Sequence, residues 1–265
     1  MFRDYTVFLW LLKLGALLNL YFLANTYLIA SGKADTWSIV SAQILFAVSG
    51  YRCLFPVRYE QNVVFHDAVC SSIFLTRLVA MFSEIAYIFL LSHVLRMFNI
   101  YHVTWVDILS WLMVAQVVIS QCFVWTAIVI EHFEFYFYEE LGWAFIFAAN
   151  TAASAYLYTT VGMLGGKSIL LILNLLFGVV YLPWQTIHLA GLHREAIRHW
   201  GESESGSVPI STRLAMGLEQ AVRIKNVRTD AASWGGFVGL TWMTAYWATL
   251  IPVWVYYIVV VLSRR

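Results

Sequence analysis

Charge is what this chain has least of. Only 12% of its 265 residues are Asp, Glu, Lys or Arg, and 61% are hydrophobic. A soluble globular chain carries about 25% charged and about 45–50% apolar residues. With a mean hydropathy of +0.74, the implied solvent is a lipid bilayer. The net charge of +1 gives no electrostatic footprint for nucleic acid, and none is expected as a partner. Cysteine is scarce as well. Cys53, Cys70 and Cys122 are an odd number without Cys-x-x-Cys spacing, which excludes a disulfide framework and a cysteine zinc site. Cys122 falls inside an apolar run and reads as a small buried hydrophobe.

Further absences remove whole function classes. Alternating-polarity segments of about ten residues are few, which argues against a β-barrel. The last apolar stretch, 233–262, contains no lysine, so a retinal Schiff base has no anchor. An acid-Arg-Tyr triplet at the third span and an Asn-Pro-x-x-Tyr motif in the last are missing, which removes the common receptor reading. Ser71 and Ser72 lie near His66-Asp67, but no Gly-x-Ser-x-Gly elbow accompanies them. Gly165-Gly166-Lys167-Ser168 lacks the first glycine of a phosphate loop and follows no strand. No His-x-x-x-His or Glu-x-x-His pair occurs, so the helix spacing of a di-iron site is missing. No cofactor and no metal are expected.

What the chain has is long apolar runs. A crossing needs about 20 mostly apolar residues, and seven segments qualify: 5–30, 37–55, 70–95, 104–130, 141–162, 168–190 and 233–262. The second is the weakest, ended by Gly50, Arg52 and Pro56. The first is too long for a signal h-region and contains Lys13, Asn19 and Asn25, so it reads as a retained span. In lipid, helices satisfy every backbone hydrogen bond internally. The expected fold is therefore all-α, a bundle of about seven transmembrane helices forming one integral membrane domain over 1–265. Between the sixth and seventh spans lies a polar connection, 191–232. Within it, 210–226 carries Ile210, Leu214, Leu218 and Val222 on one face and suits a short amphipathic helix on the membrane surface. Counting basic residues by side gives nine with the N-terminus and this connection, and five opposite. That places the N-terminus and 191–232 in the cytoplasm.

Charged groups within an apolar bundle are functional-site candidates. The densest set is Glu131-His132-Phe133-Glu134-Phe135-Tyr136-Phe137-Tyr138-Glu139-Glu140. Helical geometry puts Glu131, Glu134 and Tyr138 on one side. It places His132 near Glu139 and Glu140. Glu84 stands midway along the third span, where burial of an unpaired carboxylate favours its neutral form. Arg77, two turns earlier, is near enough to the span's start to snorkel toward headgroups. Gln116, Ser120 and Gln121 read as helix-bridging groups. The small residues Asn150-Thr151-Ala152-Ala153-Ser154-Ala155 allow close helix approach, and Pro183 is expected to kink the sixth span.

These features point to a membrane enzyme acting on a hydrophobic lipid or isoprenoid-type substrate. Glu84, Glu131, His132, Glu134, Glu139 and Glu140 are its candidate general acids and bases. Aromatic side chains, 17% of the chain, would line the pocket and stabilise developing positive charge in an isomerisation or cyclisation. The alternative is a non-catalytic membrane subunit, associated with another membrane protein, or a proton-linked carrier.

Overall fold

The structure is a computed structural model and describes residues 4–30, 35–130, 132, 134–162, 165–200 and 209–263. It is helical almost throughout, in the order α1 (Thr6–Leu12), α2 (Leu14–Ala30), α3 (Thr36–Leu54), β1 (Val57–Arg58), β2 (Val63–Val64), α4 (Ile73–Phe98), α5 (Thr104–Ile130), α6 (Glu134–Thr160), α7 (Gly166–Trp200), α8 (Ile210–Arg223), β3 (Asn226–Val227), α9 (Gly236–Trp242), a π-helical stretch Met243–Ala248, and α10 (Leu250–Ser263). Five helical stretches are long and apolar enough to cross a membrane: Thr6–Ala30, Ile73–Phe98, Thr104–Ile130, Gly166–Arg194 and Gly236–Ser263. The other two predicted spans are also helices, α3 and α6, with more polar sequences. α7 continues through Pro183 to Trp200, so the start of the expected polar connection is helical. Glu131 lies outside the described residues.

The chain forms two compact units. One comprises the described residues up to Tyr87 and those from Leu218 onward; the other is Ile88–Gly217. In the first, α2 packs on α3, and α10 and the π-helical stretch pack against both. A small sheet joins the chain segments at one end. β1 and β2 are antiparallel, with Val57 opposite Val64 and Arg58 opposite Val63. β2 and β3 are parallel, with Val63 opposite Asn226 and Val64 opposite Val227. The N-terminal segment completes this cap through the Asp4–Asp230 bridge and the Tyr5 N–H bond to the Thr229 carbonyl, 2.7 Å. Beneath it, Tyr5, Leu9, Leu12, Cys53, Phe65, Ala80, Trp234 and Trp247 form one apolar core.

The last span is broken, and Pro252 explains why. Proline lacks an N–H and its ring conflicts with the carbonyl four residues back. Thr249 leaves helical geometry (φ −134°, ψ −80°). Its N–H and hydroxyl both donate to the Thr244 carbonyl, each at 2.9 Å. The Trp247 carbonyl then accepts from Asn19 Nδ2 at 2.9 Å. Asn19 also donates to Gly15 O at 2.8 Å. The buried amide thus pins α2 to the irregular stretch, and Gly15 lets the two backbones meet.

In the second unit, α5 packs on α6 and α6 on α7. Asn174 Nδ2 donates to Ser154 Oγ at 3.0 Å, and Ser120 Oγ donates to the Glu139 carbonyl at 3.4 Å. Ser154 belongs to the small-residue stretch and Ser120 to the groups expected to bridge helices; Asn174 adds a bridge the sequence reading did not assign. Cys122 differs from expectation: its α5 position is exposed rather than buried.

A Cβ on Gly15 would stand 2.6 Å from Ala248 Cβ and 2.9 Å from Cys53 Sγ, whereas one on Gly50 would meet Asn19 Cβ at 3.6 Å. Overpacking a closed contact costs about 1–3 kcal/mol. Gly15→Ala is therefore expected to lower the thermal unfolding midpoint in detergent and Gly50→Ala to leave it nearly unchanged. Equal midpoints would show that α2 has room.

Candidate functional site

The most unusual polar chemistry lies in the first unit, just below the cap. Arg52 is two residues from the end of α3 and Arg77 four residues past the start of α4, so the loop between these helices brings both to one end. Each is almost fully buried, 5% and 1% exposed. Arg77 does not snorkel. It turns along its own helix, and Nη1 and Nη2 donate to Oε1 and Oε2 of Glu84, both at 2.9 Å. Glu84 is 6% exposed and held in a two-point ion pair rather than standing alone and neutral. The two-turn spacing seen in the sequence makes this contact possible; the expected direction of Arg77 was wrong.

Tyr59, from the loop, presents its ring to both cations. The Arg52 guanidinium is 5.1 Å from its ring centroid and that of Arg77 is 5.5 Å away. Arg52 also lies over Trp247, at 4.9 Å, so the broken span supplies a second aromatic face. Arg52 Nη2 donates to the Val57 carbonyl at 3.3 Å. Its Nε and Nη1, the Tyr59 and Tyr87 hydroxyls and Ser83 Oγ are buried without a hydrogen-bond partner among the described residues. Tyr87 packs edge-on to Tyr246, with centroids 6.3 Å apart. Among the described residues the region therefore brings Arg52, Arg77 and Glu84 together with several unpartnered donors in buried, aromatic surroundings.

His66 and Asp67 do not act together in this unit. The His66 ring packs on Phe65 and Trp10, 4.3 and 5.8 Å between centroids. Asp67 pairs with Lys225 at 3.2 Å. Burial, assisted by the charge of Lys13, holds His66 below the usual imidazole value.

The remaining sequence candidates belong to the second unit, where their polar groups serve local structure. Glu134 opens α6 and accepts from the Tyr138 hydroxyl at 2.9 Å, the one-turn pairing expected from the sequence. His132 precedes the helix, with Nδ1 4.0 Å from Glu134 Oε2; it is not part of the helical face on which it was placed beside Glu139 and Glu140. Glu139 is buried. Glu140 accepts from Gln185 Nε2 at 2.8 Å, through both its carboxylate and its carbonyl, which ties α6 to α7. Among the described residues no group of three or more His, Cys, Asp or Glu side chains is placed to hold a metal ion.

Sequence reasoning missed Arg52, Tyr59, Tyr87 and Trp247. One signal was available for Arg52, a charge two residues inside an otherwise apolar helix. Another was available for Trp247, five residues before the proline that breaks its span. No family model matches the chain, and neither does any curated protein or solved structure.

Removing one member of a buried ion pair costs about 3–5 kcal/mol, whereas replacing both with apolar residues of similar volume is often neutral. Arg77→Met and Glu84→Leu should each lower folded yield and unfolding midpoint sharply, and the double variant should recover most of the loss. Additive losses would show that the two side chains contribute separately.

Proposed function

We propose that this chain is a multi-pass membrane enzyme that takes a hydrophobic lipid or isoprenoid-type substrate into its first unit and acts on it there. The observation that carries this reading is the buried Arg52–Tyr59–Arg77–Glu84 cluster against a broken helix. Irregular backbone and buried charge are costly in a bilayer, and they recur where a span lines a binding site. The guanidinium of Arg77 fixes the Glu84 carboxylate. In that state Glu84 suits a base, or a fixed negative charge beside a developing cation, rather than a proton donor. The Tyr59 and Tyr87 hydroxyls are the proton-bearing groups nearby in sequence and fold. This retains acid–base chemistry on an apolar substrate, as in an isomerisation or cyclisation, while moving the acid from a carboxylate to a phenol. One observation favours the alternative of a non-catalytic subunit or carrier: Glu134 and Glu140 of the second unit are engaged in helix-fastening bonds.

We further infer seven crossings, with α3 and α6 added to the five apolar stretches and α9 to α10 counted as one. The cap sheet supports this count by parity. The N-terminal segment, the β1–β2 loop and the β3 segment hydrogen-bond to one another, so they lie on one side of the membrane. An even number of spans between each and the next fits this count, with α3 and α6 both taken as crossings. The same sheet gathers the basic segments assigned to the cytoplasm. α8 leaves Ile210, Leu214, Leu218 and Val222 exposed, which suits a helix lying in the interface, and Gly217 fixes it closely against the Val129 carbonyl.

Tags in 201–208 and at the C-terminus should be cleaved from opposite faces of sealed vesicles. Cleavage of both from one face would remove a crossing. For the activity, the purified chain should carry an apolar lipid detectable by mass spectrometry and convert it to an isomer of equal mass and altered retention time. Glu84→Gln should abolish that conversion, as should Tyr87→Phe if the phenol is the acid, while Glu134→Gln and Glu140→Gln retain it per folded molecule. If no lipid co-purifies, or every variant converts it at the parent rate, the enzyme reading is wrong.

A further inference from the structure

We propose that His66 is a proton-operated latch between the cap hairpin and the first helix: neutral, it holds the β1–β2 hairpin against α1, and protonated, it lets the hairpin go.

The hairpin is fastened in two different ways. On the β3 side it is held by backbone: Val63 and Val64 lie opposite Asn226 and Val227, and the Arg228 N–H donates to the Val64 carbonyl at 3.1 Å. On the α1 side it meets rings. Phe65 stands edge-on to Trp10, with centroids 5.6 Å apart, and His66 lies 5.8 Å from Trp10 and 4.3 Å from Phe65. Lys13, at the end of α1, puts its ammonium 4.0 Å from the Trp10 centroid and 5.7 Å from that of Phe65. The imidazole and the ammonium thus share the same two rings.

The neutral imidazole suits that position and the imidazolium does not. His66 Nε2 is buried and has no hydrogen-bond partner among the described residues. A neutral ring can carry its proton on Nδ1 and leave Nε2 bare, whereas an imidazolium carries a proton on both nitrogens. Protonation therefore creates a buried N–H without an acceptor and sets a second positive charge beside Lys13. The charged groups that flank the seam are engaged elsewhere. Asp67, next along the loop, pairs with Lys225 at 3.2 Å. Asp4, ahead of α1, accepts from the Thr6 N–H and hydroxyl, both at 2.8 Å. Arg58 of β1 donates to the Ser233 carbonyl at 3.0 Å.

Acid favours release. Burial, and then the charge of Lys13, hold the docked imidazole below its ordinary value, which is about 6.5 and is regained once the hairpin leaves α1. Just below that value the released state binds more protons than the docked one, so docking weakens as pH falls. The weakening stops once the docked ring is itself protonated. The turn of the same hairpin carries Tyr59, whose ring faces Arg52 and Arg77, so opening the latch also frees that ring. None of this depends on the chain being an enzyme.

The test is hydrogen–deuterium exchange of the full chain in a neutral detergent, near pH 7.5 and pH 5.5, with rates corrected for the intrinsic pH dependence of amide exchange. Peptides covering 57–68 and 224–230 should lose about three- to tenfold in protection at the lower pH, the upper limit being set by one proton across one unit. Peptides from the middle of α5 should keep theirs; a loss shared by α5 would mean general unfolding and would overturn the latch. His66→Phe keeps a ring without a titrating group and should stay protected at both pH values. Lys13→Met removes the facing charge and should shrink the dependence, while Asp67→Asn should leave it as in the parent. Should His66→Phe fold poorly, the imidazole resonance of His66 in the histidine-labelled parent decides the matter. A midpoint below the ordinary value supports the latch, and one at or above it overturns it. Equal protection of the cap at both pH values in the parent, or an undiminished loss in His66→Phe, overturns it as well.

Discussion

Burying two guanidiniums in an apolar bundle is the most demanding thing this fold does, and much of the first unit is arranged around it. Arg77 is compensated within its own helix because residues seven apart stack two turns along one face. Arg52 has no such partner on α3. It meets two ring faces, and these come from distant places in the chain: Tyr59 from the cap loop and Trp247 from the broken last span. The cap loop and the broken last span thus both contribute to the surroundings of Arg52. A cation–aromatic contact is worth about 0.5–2 kcal/mol, too little to offset the desolvation of a guanidinium. The surroundings tolerate the charge without neutralising it.

The break in the last span is tied to this cluster through the Trp247 carbonyl, which accepts from Asn19 Nδ2 and from Cys53 Sγ. Pro252 disrupts the ladder and the winding widens from Met243 to Ala248. The Trp247 carbonyl then needs a donor from outside its helix, since an unsatisfied backbone group in lipid costs several kcal/mol. Asn19 supplies it. That bond seats α2 against the irregular stretch and holds the Trp247 residue whose ring covers Arg52. A proline and an asparagine 233 positions apart in sequence thus settle where an arginine of a third helix can sit.

The parts legible in the sequence were those set by local pattern. All seven apolar runs are helices, Pro56 follows the end of α3, Glu134 and Tyr138 meet one turn apart, and Ser120 bridges helices. Composition and the 3.6-residue period determine such features. The partner of Glu84 was readable from spacing, but the direction taken by Arg77 was not. Snorkelling and pairing compete for a long side chain, and the deciding factor is a loop folded over the helix end. That loop contains two-residue strands whose pairing partner, β3, lies more than 150 residues away. Such strands carry no periodic signal. Arg52 went unrecognised for the same reason: its neighbours come from elements that no local window contains together.

The two units use their polar groups differently. In the second unit the acidic, aromatic segment looks reactive as sequence, yet its groups are used in fastening: Glu134 to Tyr138, Glu140 to Gln185, the Glu139 carbonyl to Ser120. A group already accepting good hydrogen bonds within a rigid helix pair must lose them before it can serve a substrate. In the first unit the balance is reversed. Among the described residues, Arg52 Nε and Nη1 and the Tyr59 and Tyr87 hydroxyls are buried without a hydrogen-bond partner. Polar groups kept buried and uncommitted are unfavourable for folding alone. In the first unit the Arg52 guanidinium is held instead by ring faces and one carbonyl, so its surroundings depend on the loop and the broken last helix rather than on a regular helix pair.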